Sequence, residues 1–203
     1  MEAVKLQLAT RTLTDPAARQ WQRAPVVNLT LRGTDPASQP SPYVRTVWAG
    51  KNVGAVRSLS VRAAHNQQNI FFRLEWPDPS CNMDYAAGTA FPDAAAVLLA
   101  AEPAPPLKSM GAPGQPIEAW CWRANHPEAG EALRFQGFAT EEPADGPSIL
   151  NKGVWDTGRW AVVISALRDA SRPHVAFAVW EGGNQERAGL HSYSPQWQEL
   201  EIL

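Results

Sequence analysis

Proline and glycine interrupt this chain so often that little room is left for long helices. The 203 residues include 18 prolines and 14 glycines. Each proline removes a backbone donor, and each glycine inside a helix costs about 1 kcal/mol relative to alanine. The stretches between the breaks are short, and several alternate with a period of two. Ser58–His65 puts Leu59, Val61 and Ala63 on one face, and Ile70–Trp76 puts Ile70, Phe72, Leu74 and Trp76 on one face. With the turn at Asn66–Asn69 between them, these two runs read as a β-hairpin. Val26–Leu31, Ala94–Ala100, Ile117–Arg123, Leu133–Phe138, Trp160–Ala166, His174–Trp180 and Trp197–Leu203 read as further strands. Trp160–Ala166 and His174–Trp180 are expected to pair antiparallel across Leu167–Pro173. Asp15–Trp21 reads as one helical turn with Asp15 as its cap. The expected fold is all-β with few short helices, an antiparallel β-sandwich forming one domain over residues 1–203. Two long irregular regions, 101–116 and 139–159, are where a site is expected, because loops of that length inside a compact domain usually carry function.

Composition narrows the function classes. Eighteen basic against 20 acidic residues leave no basic stripe for nucleic acid. The longest apolar run, Ala94–Ala101, is far short of the ~20 residues a membrane helix needs. Met1–Leu6 has neither the basic nor the apolar region of a signal peptide, so an exported protein would have lost its leader or would leave with a partner. Cys81 and Cys121 are the only cysteines, and neither a zinc pair nor a covalent-haem motif is present. No nucleophile elbow, HExxH or phosphate-binding glycine loop appears. Asp78, Asp84 and Asp93 fall near one another without the spacing of a metal loop, and the four histidines are scattered. Met110 sits in a Pro/Gly-rich loop, either packing against the end of the sandwich or presenting its thioether as a ligand. Lys152 reads as a solvated loop charge. Buried, its amine would lose its proton and become a possible metal donor.

Several stretches in order give the chain a family likeness. They are Asp15–Trp21, Val61–Asp78 ending in Leu-Glu-Trp-Pro-Asp, Phe91–Val97, Met110-Gly111 followed by Ile117–Arg123, Gly153–Trp160 and Trp197–Leu203. Together they resemble the haem b-binding gamma subunits of type II dimethyl-sulfoxide-reductase-family molybdoenzymes, the group that includes ethylbenzene dehydrogenase, dimethylsulfide dehydrogenase, selenate reductase and chlorate reductase. The resemblance implies a β-sandwich whose long loops clamp one non-covalent haem b, with methionine and lysine as axial ligands. By position these match Met110 and Lys152, with His191 or His174 next in line for the second place. A thioether ligand would favour ferrous iron and raise the potential. The resemblance also implies a non-catalytic electron-transfer subunit of a heterotrimer. Its partners would be a molybdenum-cofactor catalytic subunit and an iron–sulfur subunit, with a soluble cytochrome c or similar carrier outside, and its location periplasmic. The rival reading is a carbohydrate- or ligand-binding β-sandwich without haem, in which Trp120, Trp122, Trp155 or Trp160 would form a sugar platform.

Overall fold

A computed structural model describes residues 1–85 and 89–203. In chain order, β1 (Glu2–Lys5), β2 (Val27–Thr30) and β3 (Arg32–Gly33) precede the hairpin of β4 (Ser58–His65) and β5 (Asn69–Pro77). β6 (Ala94–Ala100), β7 (Ile117–Arg123), β8 (Glu131–Phe135) and β9 (Glu142–Pro143) follow. β10 (Leu150–Trp155), β11 (Arg159–Leu167), β12 (His174–Trp180), β13 (Ser192–Tyr193), β14 (Gln198–Glu199) and β15 (Glu201–Ile202) complete the strands. The first sheet runs β10-β11-β5-β4-β1-β15, with β2 also on β4. The second runs β3-β13-β12-β6-β7-β8-β9, with β14 also on β12. Pairing is antiparallel except where β1 lies parallel to β4 and β15. The chain is thus the expected all-β sandwich.

The period-two faces predict the interior well. Ile70, Phe72, Leu74 and Trp76 all enter the core between the sheets, facing Val97, Trp122, Phe177 and Val179 from the second sheet. Phe72 meets Phe177 edge-on with ring centroids 6.1 Å apart, and Trp122 meets Trp160 at 4.9 Å. Such offset contacts suit the ring quadrupoles and add to the area that these large side chains bury. Gly153 in β10 is required by this packing, because a Cβ there would lie 2.3 Å from the Trp122 ring.

Four expectations are corrected. β11 and β12 do not pair: β11 bonds β5 and β10 in the first sheet, whereas β12 bonds β6 in the second. Leu167–Pro173 therefore crosses between layers, because each strand needs its own apolar face turned inward. Asp15 does not begin a helix. It follows the short helix α1 (Thr10–Thr14), and a 3-10 turn at Arg19–Arg23 comes after it. Loop 139–159 is not wholly irregular, since β10 occupies its second half. The tail is split as well: β14 joins the second sheet and β15 the first.

Candidate functional site

Each strand of the second sheet has an outward face as well as a core face, and along several of them the outward residues are small. Ala178 lies opposite Tyr193 on one side and Ala96 on the other, and Ala96 lies opposite Cys121. In the next row Trp180 faces Ala94. This gives a flat floor of small side chains with aromatic and aliphatic walls. Ala96, Ala119, Cys121, Ala178, Leu133, Phe135 and Tyr193 form one outer apolar cluster. Beside it opens a cavity of about 270 Å³, bordered by Phe91, Cys121, Leu133, Phe135 and Trp180, with Arg123 and Arg187 also on its wall. A mostly apolar cleft with a few polar groups is what a cofactor pocket requires.

Met110 belongs to the cluster on this face and is buried. Its backbone is left-handed, at φ 59° and ψ 52°, where it ends the 3-10 turn Leu107–Ser109. The strain of that conformation, roughly 1–2 kcal/mol for a non-glycine residue, is held by three hydrogen bonds. Met110 N–H donates to Leu107 O at 3.2 Å, Gly111 N–H to Pro106 O at 2.9 Å, and Gly137 N–H to Met110 O at 3.0 Å. Gly111 has φ +87°, and a Cβ on it would lie 2.9 Å from Phe135 O. The Met-Gly pair thus anchors loop 101–116 to the strand that lines the cavity.

His191 lies immediately before β13 and is fully buried. Its ring stacks near Trp180 and Tyr193, with centroids 5.0 and 6.3 Å away. Its backbone is fixed by Thr34, whose Oγ1 accepts from His191 N–H at 3.2 Å and whose N–H donates to His191 O at 3.0 Å. Nδ1 lies 3.2 Å from Ala188 O, a carbonyl that can only accept, so Nδ1 carries the proton. Nε2 is then a bare lone pair, buried and without a partner among the described residues. Burial holds the imidazole pKa down at about 4, so the ring is neutral. Metal-bound histidines show this arrangement: one nitrogen fixed by a carbonyl, the other free to ligate. Trp180 Nε1–H donates to the same Ala188 carbonyl at 2.9 Å. Ala188 is itself left-handed, at φ 49°.

Lys152 is elsewhere. Gly153 points into the core, so its neighbour Lys152 points out of the first sheet, opposite Val163 in register. Val163 belongs to the outer cluster of that sheet, with Phe71 and Trp21. The lysine side chain is 47% exposed and its Nζ lies 3.1 Å from Asp15 Oδ1. The full thickness of the sandwich, roughly 10 Å between sheets, separates it from the face that holds Met110. The structure does not bring the expected pair together. His174 is six residues along β12 from Trp180, about 20 Å away, with Nδ1 on Ala101 O. His191 is the residue that shares a face with Met110. The sequence gives no periodic signal for it; only the fold shows that one ring nitrogen is satisfied and the other is not.

The remaining candidates are placed as follows. Cys81 is exposed and Cys121 buried, and both are free thiols. Burial pushes the Cys121 thiol up, so it stays protonated. Trp120, Trp122 and Trp160 are buried in the core, and Trp155 packs against it. They form no exposed sugar platform. Arg123 is paired with Glu131 and Glu141 at 3.3 and 3.0 Å. Arg187 instead lies over the Phe91 ring at 4.0 Å, and among the described residues no carboxylate pairs with it. A buried thioether and an orphaned buried imidazole nitrogen are donors that a haem iron accepts, and beside them lie an apolar cavity, whose lining includes neither residue, and an arginine that among the described residues has no carboxylate partner.

The family model described as ethylbenzene dehydrogenase matches residues 18–145, more than half of the chain. The "putative respiratory nitrate reductase heme subunit ORF7" of Haloferax mediterranei is 28% identical over 90% of this chain, which spans 66% of that protein's length. The chlorate reductase subunit gamma of Ideonella dechloratans is 27% identical over 96% of this chain and 82% of its own length. The dimethylsulfide dehydrogenase subunit gamma of Rhodovulum sulfidophilum is 27% identical, over 92% and 74% respectively. Among solved structures, a family 9 carbohydrate-binding module from Caldicellulosiruptor kristjanssonii in complex with glucose superposes with a TM-score of 0.58 at 10% identity. It covers all of this chain and 95% of that one, and at that identity it speaks to the fold alone.

Proposed function

The chain belongs to the ethylbenzene dehydrogenase family, and from that premise we propose that it is the gamma-type electron-transfer subunit of a molybdenum enzyme, holding one non-covalent haem b between Met110 and His191. The observation that carries this reading is the orphaned Nε2 of His191. A fully buried imidazole with one nitrogen fixed and the other bare costs stability unless something binds it. A bound haem would supply a one-electron centre whose potential is set by its ligands and its burial.

The chain's own residues divide the work of holding that group. Met110 offers a soft donor on a strained turn that Gly111 makes possible. Ala188 O takes the proton side of His191 and so directs its lone pair. The small floor of Ala96, Ala178 and Cys121 leaves space for a flat ring, and Leu133, Phe135 and Trp180 exclude water from it. Arg187, free of carboxylate partners, is the candidate to meet a propionate through charge-assisted hydrogen bonds. Lys152, in its ion pair with Asp15, takes no part.

In this reading the module works in the periplasm. It passes electrons between an iron–sulfur subunit, next to the molybdenum-cofactor subunit, and an external carrier such as cytochrome c. The relatives named as gamma and heme subunits support this assignment. The sugar-binding reading rests on fold likeness alone, and of the tryptophans it needs Trp120, Trp122 and Trp160 are in the core and Trp155 packs against it. The test is haem content of the purified complex by pyridine haemochrome, followed by stopped-flow mixing of the dithionite-reduced complex with a cytochrome c. About one b-type haem per chain, oxidised by the carrier, is expected. A complex without haem would overturn the proposal.

A further inference from the structure

At one end of the sandwich three carboxylates are buried together. Asp78 follows β5 of the first sheet, Asp93 precedes β6 of the second, and Glu181 follows β12. Asp78 and Asp93 are 0% exposed and Glu181 is 7% exposed. One oxygen from each lies within 4.8 Å of the others. Asp93 accepts from Gly182 N–H and Asn82 N–H at 2.8 Å and from Trp160 Nε1–H at 2.9 Å. Glu181 accepts from Gly183 N–H at 3.0 Å and Asn184 N–H at 2.6 Å. These neutral donors orient the carboxylates without cancelling their charge. Among the described residues, none of the three forms an ion pair with lysine or arginine.

Asp78 is the second, separate sign of a missing ligand. Its Oδ1 accepts from Ser80 N–H at 3.1 Å, while Oδ2 is buried without a well-formed hydrogen bond among the described residues, the neutral Trp76 indole being the donor near it. A buried carboxylate oxygen left bare costs several kcal/mol per charge. Three buried carboxylates this close together must either take up protons or share a cation. Without a cation, burial and mutual repulsion push Asp78 up to about 7 and burial pushes Asp93 up to about 6. The neutral oxygens of Ser80 and Asn82 lie on the same side, 3.0 and 3.1 Å from where a Cβ on Gly183 would be.

We propose that Asp78, Asp93 and Glu181 form a Ca²⁺ site that ties the two sheets together. The donor set is all oxygen, which suits a hard cation rather than zinc or copper. A divalent ion would balance most of the buried charge and occupy the bare oxygen of Asp78. Its ligands come from both layers and flank the 78–93 connection, whose Phe91 borders the cavity described above. The site stands whether or not the cavity holds haem.

The experiment uses the full chain, dialysed against chelator and then titrated with CaCl₂ or MgCl₂. Elemental analysis gives the stoichiometry and thermal unfolding gives the response. Tb³⁺ serves as an optical probe, because Trp160 is hydrogen-bonded to Asp93 and would sensitise its emission. Expected are about one Ca²⁺ per chain, a rise in Tm with Ca²⁺ greater than with Mg²⁺, and Tb³⁺ emission that Ca²⁺ displaces. Asp78→Asn and Glu181→Gln should each weaken binding about tenfold or more. If a variant fails to fold, the Tb³⁺ displacement on the unaltered chain decides. No Ca²⁺ uptake at about 1 mM free ion, no change in Tm and no sensitised emission would mean a protonated carboxyl cluster and overturn the site. A preference for Mg²⁺ would overturn the assignment to calcium. Haem content is read separately, so failure here leaves the electron-transfer proposal to its own test.

Discussion

Replacing His191 by leucine should make the haem-free protein more stable, which is the opposite of the usual result for a fully buried residue. Leucine is similar in volume and removes the bare Nε2, a buried polar atom without a partner that costs about 1–3 kcal/mol. The change also removes the Nδ1 hydrogen bond to Ala188 O, worth about 1 kcal/mol. That carbonyl keeps its bond from Trp180 Nε1, so nothing new is left unpaired. The net gain near pH 7.5 is about 1 kcal/mol, or roughly 2–4 °C in Tm for a chain of this size. The gap should widen on acidification. The folded imidazole pKa is depressed to about 4, against ~6.5 when unfolded. Between those values the unfolded chain binds the proton and the native chain does not, so the parent protein loses stability as pH falls. The loss is about 2 kcal/mol by pH 5 and roughly 3 kcal/mol by pH 4. The leucine variant has no such term. Asp78 and Asp93, raised to about 7 and about 6, act in the opposite direction but equally in both proteins, so they cancel in the comparison. Urea unfolding of both apo-proteins at pH 7.5 and pH 5 is the assay. A leucine variant destabilised by more than about 2 kcal/mol at pH 7.5, or a gap that does not grow at pH 5, would refute the idea that His191 is kept for a ligand.

Other outcomes follow from the same geometry. Lys152→Ala breaks only a half-exposed ion pair with Asp15, so stability should change by less than about 1 kcal/mol, and the haem spectrum not at all. Thermal unfolding and absorption check both. Gly111→Ala forces a side chain into a left-handed position 2.9 Å from Phe135 O. It should cost about 1–3 kcal/mol and weaken haem retention, measured by transfer to apomyoglobin, because the Met110 turn shifts. Phe177→Ala empties a fully buried site facing Phe72 and should cost about 3–5 kcal/mol in chemical denaturation.

Much of the fold was legible in the residues because alternation reports burial directly. Ser58–His65, Ile117–Arg123 and His174–Trp180 match their strands at both ends, and so does Ala94–Ala100, which is apolar without alternation and reads as a strand from its length and flanking prolines. Alternation does not report partners, however. β11 and β12 look like a hairpin because each has one apolar face and a short turn lies between them, yet each turns that face inward from a different sheet. β10 was hidden because its core-facing position is Gly153, which must be small to admit the Trp122 ring. Met110 stood out because a methionine in a Pro/Gly loop packs no helix. Lys152 matches the motif by position, but on its strand it points out of the first sheet, on the side away from Met110. His191 and Glu181 carry no local signal at all, since their meaning lies in what their free atoms face after folding.

The central claim is that Met110 and His191 share one haem iron, and the most direct measurement is the optical and EPR spectrum of the full chain reconstituted with haemin. A low-spin b-type haem is expected in the parent protein and in Lys152→Ala. A change to high spin or loss of haem is expected in His191→Ala, restored in part by added imidazole, and a distinct loss of the thioether ligand in Met110→Leu without unfolding. A low-spin spectrum that survives His191→Ala and disappears in Lys152→Ala would contradict ligation by His191.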